Sequence, residues 1–143
     1  MGQALLDSNV LIGIASAQDQ YHQRSRSIVL GFDTNELPEV IVTNYVLAEA
    51  LGYVHSRIGH RTAAGIIDCV KTGPGFEIVV ATRADFAKAE SIFVEHDPLS
   101  FVDATVVAFA HRTGTEVLNS FDDDFDRFDR ITRLANAANP VTP

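Results

Sequence analysis

Residues 99–114, LSFVDATVVAFAHRTG, constrain the fold more than any other stretch of the chain. From Phe101 to Ala110 the segment is apolar nearly all round a helical wheel, so a helix here must be enclosed by neighbours on most sides. Yet Asp103 stands in its first turn. An ionised carboxylate is costly to bury without a partner charge or hydrogen bonds. Asp103 therefore either caps its own helix or helps to hold a cation.

The flanking chain alternates short apolar runs with helical patterns. The run ALL ends at Asp7, and a helix is expected from about Val10 with Ser8 and Asn9 as N-cap residues. A second helix is expected over 19–30, ended by Gly31, with His22 and Arg24 as solvated residues on it. EVIVT at 39–43 is the second strand, and Asn44 is the expected cap of the helix NYVLAEALGYVHSRI. There Leu47, Leu51, Val54 and Ile58 form the expected buried stripe. Glu49 stands about 200° from Leu47, beside Tyr45, Val46 and Tyr53.

Gly59 ends that helix, HRTAAGIIDCVK forms the next, and 76–80 is the third strand. In a helix over 82–96, Phe86, Ala89, Ile92 and Phe93 are expected inward, and Thr82 with Asp85 matches a capping box. Gly114 should end the apolar helix, and TEVLNS at 115–120 is the fourth strand. An acidic turn, FDDDFDRFDR, is anchored by Phe121, Phe125 and Phe128, and 131–134 forms an edge strand. Such alternation predicts an α/β fold: a mostly parallel sheet of four or five strands with helices on both faces.

At 143 residues, 46% of them hydrophobic, the chain suits a single domain over 1–143, with 135–143 as a frayed tail. The net charge of −8 excludes nucleic-acid binding by bulk positive charge, but not by way of a bound metal. Lone Cys69 cannot form an internal disulfide and fits a small buried residue in a reducing compartment. With no signal-peptide pattern and no apolar run of membrane-spanning length, a cytoplasmic location is the expectation.

The acids then acquire a pattern. In a parallel sheet, strand ends of one sense and the helix starts that follow them share an edge. Asp7, Glu49 and Asp122 fall there. Asp103 joins them only if the helix over 82–96 returns the chain to that edge. Ser100 and Asp103 also match a capping box, as Thr82 and Asp85 do. Helix 82–96, however, carries Lys88, Glu90 and Glu95 on a wet face, so capping alone accounts for Asp85. Four clustered carboxylates repel one another unless a divalent cation sits among them. Oxygen ligands suit Mg²⁺ or Mn²⁺, and the five scattered histidines offer no zinc pair. The chemistry this supports is phosphodiester hydrolysis.

LLDSNVLIG, TNYVLAEAL, LSFVDATVVAFA and LNSFDDDFDRF, in this order, resemble the PIN-domain ribonucleases, and most of all the VapC-type toxins of prokaryotic toxin–antitoxin pairs. The resemblance spans nearly the whole chain. It implies a PIN-like three-layer sandwich, metal-dependent endoribonuclease activity, a homodimer and a small antitoxin partner that inhibits the site. It implies that Asp7, Glu49, Asp103 and Asp122 gather around Mg²⁺ or Mn²⁺, with Asp124 replacing or assisting Asp122. Ser8, Asn9 and Ser100 would support the site. Ser120 fills the place of a family Thr or Ser, where it can hydrogen-bond a metal-held water or Asp7. His55, Arg57, Arg61 and Arg112 are read as solvated.

Two rivals are weighed beside this reading. Haloacid-dehalogenase-like phosphatases also place an aspartate after strand one, but they need an acid two residues on, where this chain has Asn9. A PIN-like module that has lost catalysis and only binds RNA or protein would be expected to lack one of the four acids.

Overall fold

The computed structural model describes residues 3–137. Expectations for the tail beyond Ala137 lie outside the described residues. Five strands, β1 (Ala4–Leu6), β2 (Val40–Thr43), β3 (Phe76–Val79), β4 (Val117–Asn119) and β5 (Thr132–Leu134), form one sheet in the order β3-β2-β1-β4-β5. Every pairing is parallel. The central strands β1 and β2 are buried along their whole length, which is why ALL and VIVT read as unbroken apolar runs.

Six helices connect the strands: α1 (Ser8–Ala15), α2 (His22–Asp33), α3 (Asn44–Arg57), α4 (His60–Thr72), α5 (Arg83–Glu95) and α6 (Phe101–Thr113). The steps β1→β2→β3 run one way across the sheet and β3→β4 runs back. Right-handed crossovers therefore put α1–α4 on one face and α5–α6 on the other. α6 is enclosed as its composition demands: Asp103 through Ala110 are all buried. Its end is a left-handed Gly114 at φ 70°, the expected C-cap. A short 3₁₀ helix, Asp123–Arg127, fills the β4–β5 connection, with Phe125 wholly buried beneath it.

Several local expectations are corrected. α1 starts at Ser8, and its N-cap is Asp7 rather than Ser8 or Asn9. α2 starts later, at His22, and runs through Gly31, because Leu37 packs onto that glycine in the helix interior. His22 is not simply solvated: its Nδ1 lies 2.8 Å from the Gly13 carbonyl. α3 is capped by Thr43, whose hydroxyl accepts from the Val46 N–H, while Asn44 accepts from the Ala81 N–H at the next strand end.

The buried line of α3 is Val46, Ala50 and Val54, so the expected stripe is rotated. Leu47 and Leu51 are half-buried and Ile58 is exposed. On α5 the inward residues are Asp85, Ala89 and Ile92, whereas Phe86 and Phe93 are exposed. Cys69 is half-buried. Among the described residues no helix is long and apolar enough to cross a membrane.

Candidate functional site

The strand order reverses between β1 and β4, neighbours whose chains leave in opposite directions across the sheet. Outside the carboxyl ends of two such strands a parallel sheet has a natural crevice. Asp7 follows β1 and Ser120 follows β4 at this edge, held level by the bond from the Asp7 N–H to the Asn119 carbonyl at 2.9 Å. Asn119 itself is buried and donates from Nδ2 to the Leu5 carbonyl at 3.1 Å, tying the two strands together.

Asp7 is 3% exposed. Its Oδ1 accepts from the Ser8 N–H at 2.8 Å and its Oδ2 from the Ser120 hydroxyl at 2.7 Å. Ser120 Oγ is a hub, since it also accepts from the Asp122 N–H at 3.0 Å and from Asn9 Nδ2 at 3.3 Å. Asn9 in turn accepts from the Phe121 N–H. On the other side, the Ser8 hydroxyl donates a short hydrogen bond to Glu49 Oε1 and so ties α3 to the start of α1. Asp122 caps the 3₁₀ helix by accepting from the Asp124 N–H at 2.9 Å.

Asp103 arrives from the far face of the sheet. After α5 the chain enters α6 with Ser100 as N-cap, and Ser100 and Asp103 form a full capping box with both bonds at 3.1 Å. Cap and cluster coexist. Asp103 feels the charges of Asp122 and Glu49, and Asp7 feels those of Asp103 and Glu49, so all four acids belong to one electrostatic site.

Burial raises the Asp7 carboxyl to about 7; the Ser120 and Ser8 hydrogen bonds oppose the rise, and Asp103 and Glu49 add to it. Burial likewise lifts Asp103, against the Ser100 bonds and with help from Asp122 and Glu49. Among the described residues no Lys, Arg or His forms an ion pair with any of the four. Arg133 interacts electrostatically with Asp122 but forms no ion pair with any of the four. The donor set is oxygen only and mutually repulsive. That is the chemistry of a hard divalent-ion site. A tighter acidic trio lies at the rim: Asp122, Asp123 and Asp124 have carboxylate oxygens within 4.8 Å of one another. The repulsion of Asp122 is the main reason the Asp124 carboxyl is raised.

The contrast drawn from sequence between Asp85 and Asp103 needs revision. Asp85 is the more buried of the two, 1% against 9% exposed, although its helix has a wet face. What separates them is Arg112, whose Nε and Nη2 donate to the two Asp85 oxygens at 2.6 and 3.0 Å. Arg112 is thus an ion-pair partner rather than a purely solvated residue. Two further residues carry no motif: Asn119, described above, and Arg133, which bonds Asp126 and the Ser120 carbonyl. The one hint for Arg133 is a cation in a short edge strand directly after an acid-rich turn.

A five-stranded parallel α/β domain with a cluster of acids at its switch point is the class this fold and site define. A family model for the PIN domain matches residues 4–131, and the chain belongs to the PIN domain family. A search among curated proteins finds no sequence match. Among solved structures, VapC20 of Mycobacterium tuberculosis, a toxin that cleaves the sarcin–ricin loop, is 24% identical over 88% of this chain and 94% of its own, with a TM-score of 0.75. VapBC2 of Rickettsia felis, bound to a promoter DNA fragment, has 13% identity, a TM-score of 0.69 and coverage of 96% and 98%. DNA-bound VapBC of Salmonella typhimurium has 14% identity, a TM-score of 0.66 and coverage of 94% and 98%. At such identities the likeness is one of fold.

Proposed function

We propose that the protein is a divalent-metal-dependent endoribonuclease, the toxin half of a toxin–antitoxin pair. The observation that carries the reading is the electrostatic grouping of Asp7, Glu49, Asp103 and Asp122 at the switch point, none of them in an ion pair among the described residues. Membership of the PIN family and the toxin folds among its structural relatives support the same conclusion. We assign Asp7 and Asp103 as the main ligands of Mg²⁺ or Mn²⁺, with Glu49 and Asp122 completing the set and Asp124 as an auxiliary acid. Bound there, the ion supplies a Lewis acid for phosphodiester hydrolysis, lowering the pKa of a water and offsetting phosphate charge.

The chain's own residues prepare the site. Ser120 and the Ser8 N–H orient the two oxygens of Asp7. The Ser8 hydroxyl fixes one oxygen of Glu49, leaving its partner oxygen available to a ligand. Ser100 holds Asp103 at the positive end of the α6 dipole, which favours its ionised form. Asn9 braces Ser120 and the Phe121 backbone. The partners that fit this reading are an RNA substrate, a cognate antitoxin and a second copy of the chain, in the cytoplasm.

The test is internal cleavage of labelled RNA by purified protein with Mg²⁺ or Mn²⁺. Asp103→Asn should lower cleavage more than about 100-fold, beyond what loss of a supporting hydrogen bond around a metal usually does. Its metal-free fold should be no less stable, since a like charge has been removed. Wild-type cleavage by the variant would overturn the assignment. RNA binding without turnover by the wild type would favour a binding module instead.

A further inference from the structure

The turn from Ser120 to Asp126 is held at both ends by one side chain. Arg133 on β5 is 19% exposed, and its Nε and Nη2 donate to the Asp126 carboxylate at 2.9 and 3.0 Å. Its Nη1 donates to the Ser120 carbonyl at 3.3 Å. The Asp126 pair alone is an exposed surface pair of little value. The third bond changes its meaning. It reaches the main chain of the residue whose hydroxyl joins Asp7, Asp122 and Asn9. The adjoining peptide is fixed to the same strand, with the Ser120 N–H donating to the Leu134 carbonyl at 3.1 Å.

We propose that Arg133 is a positioning residue for the acid site, clamping the Ser120–Asp126 turn so that the Ser120 hydroxyl meets both Asp7 and the Asp122 N–H. The inference rests on the metal-dependent reading above. The guanidinium is suited to this because its planar fork binds a carboxylate with one edge while another N–H reaches a carbonyl. A lysine ammonium has the charge without the fork. The residue bonds none of the four acids and acts through Ser120, beside a charge interaction with Asp122.

The test compares Arg133→Met, Arg133→Lys and the milder Asp126→Asn with the wild type. Amide exchange at Asp122 and Asp124 in ion-free protein reads the clamp directly, calorimetry with Mn²⁺ reads the site, and RNA cleavage reads kcat and KM. Both arginine variants should exchange those amides about tenfold faster and bind Mn²⁺ about tenfold more weakly, as expected for a lost supporting contact. Their kcat should fall while KM for RNA stays put, and Asp126→Asn should shift each quantity the same way by less.

Recovery of wild-type values by Arg133→Lys would mean that charge alone matters and would overturn the clamp. So would a raised KM with unchanged Mn²⁺ affinity, which would make Arg133 an RNA contact. If the arginine variants do not fold, Asp126→Asn decides on the same readouts. If wild-type protein neither binds Mn²⁺ nor cuts RNA, the functional reading falls, and the exchange measurement alone then decides whether the clamp exists.

Discussion

Asp85 and Asp103 occupy the same position in two capping boxes, and a single arginine separates their chemistry. Burial pushes both carboxyls up. For Asp85 the Arg112 bonds, with those from Thr82, outweigh burial and hold its pKa below the ordinary value; Asp103 has only its cap and meets further acids. A group with a depressed folded pKa stabilises the protein above its unfolded value, here 3.8, and that stability is lost as pH falls through the folded value. Arg112→Met should therefore leave a buried, unpaired charge at neutral pH and lower stability. The deficit should shrink towards about pH 3, where the unfolded carboxyl, below its 3.8, and the unpaired one of the variant take up protons. Urea unfolding of both proteins at the two pH values measures this, and equal deficits would show that Arg112 acts by packing alone.

At the scale of elements, the strong periodic signals carried over and the ambiguous ones did not. ALL and VIVT are legible because a strand buried in a parallel sheet needs no alternation, only apolar residues between turn signals. The stripe of α3 is ambiguous in sequence because the helix is apolar on more than one side. Val46–Ala50–Val54 and Leu47–Leu51 are both good stripes, and only the tertiary partner selects the first. On α5 the inward places expected for Ala89 and Ile92 hold, whereas Phe86 and Phe93 flank that line and stay exposed, and the buried third member is the acid Asp85.

The helix glycines sort by the same logic. A Cβ at Gly31 would lie 2.6 Å from Leu37 Cδ1 in the core, whereas at Gly52 and Gly65 it would meet nothing within 4 Å. Gly31→Ala should forfeit its gain in helix propensity to overpacking and lower stability by about 1 kcal/mol. Gly52→Ala and Gly65→Ala should each raise it by about 0.5–1 kcal/mol. Thermal melts of the three variants check the ordering, and a stabilised Gly31→Ala would mean that Leu37 moves aside easily.

For the whole molecule, the sheet order β3-β2-β1-β4-β5 makes an edge at which acids from four separate segments converge. Three of the four were legible as followers of strands. Asp103 was not, because its place depends on the path of α5, which no local pattern encodes. That convergence has a thermodynamic consequence in the ion-free protein. Asp7 ionises at about 7 when folded against 3.8 when unfolded, so between these values the native state holds a proton that the unfolded state has released. Stability must then fall as pH rises, by at most about 4 kcal/mol for a shift of roughly three units. His111 acts in the opposite sense, since burial lowers its pKa from 6.5 and the unfolded state binds the extra proton. Asp7→Asn removes the first contribution and keeps the second. Ion-free wild type should therefore lose stability relative to Asp7→Asn between about pH 4 and pH 7, and Mg²⁺ or Mn²⁺ should abolish that difference by supplying the missing counter-charge. Parallel profiles for the two proteins, with or without ion, would mean that Asp7 is not the strained carboxylate on which the proposed site depends.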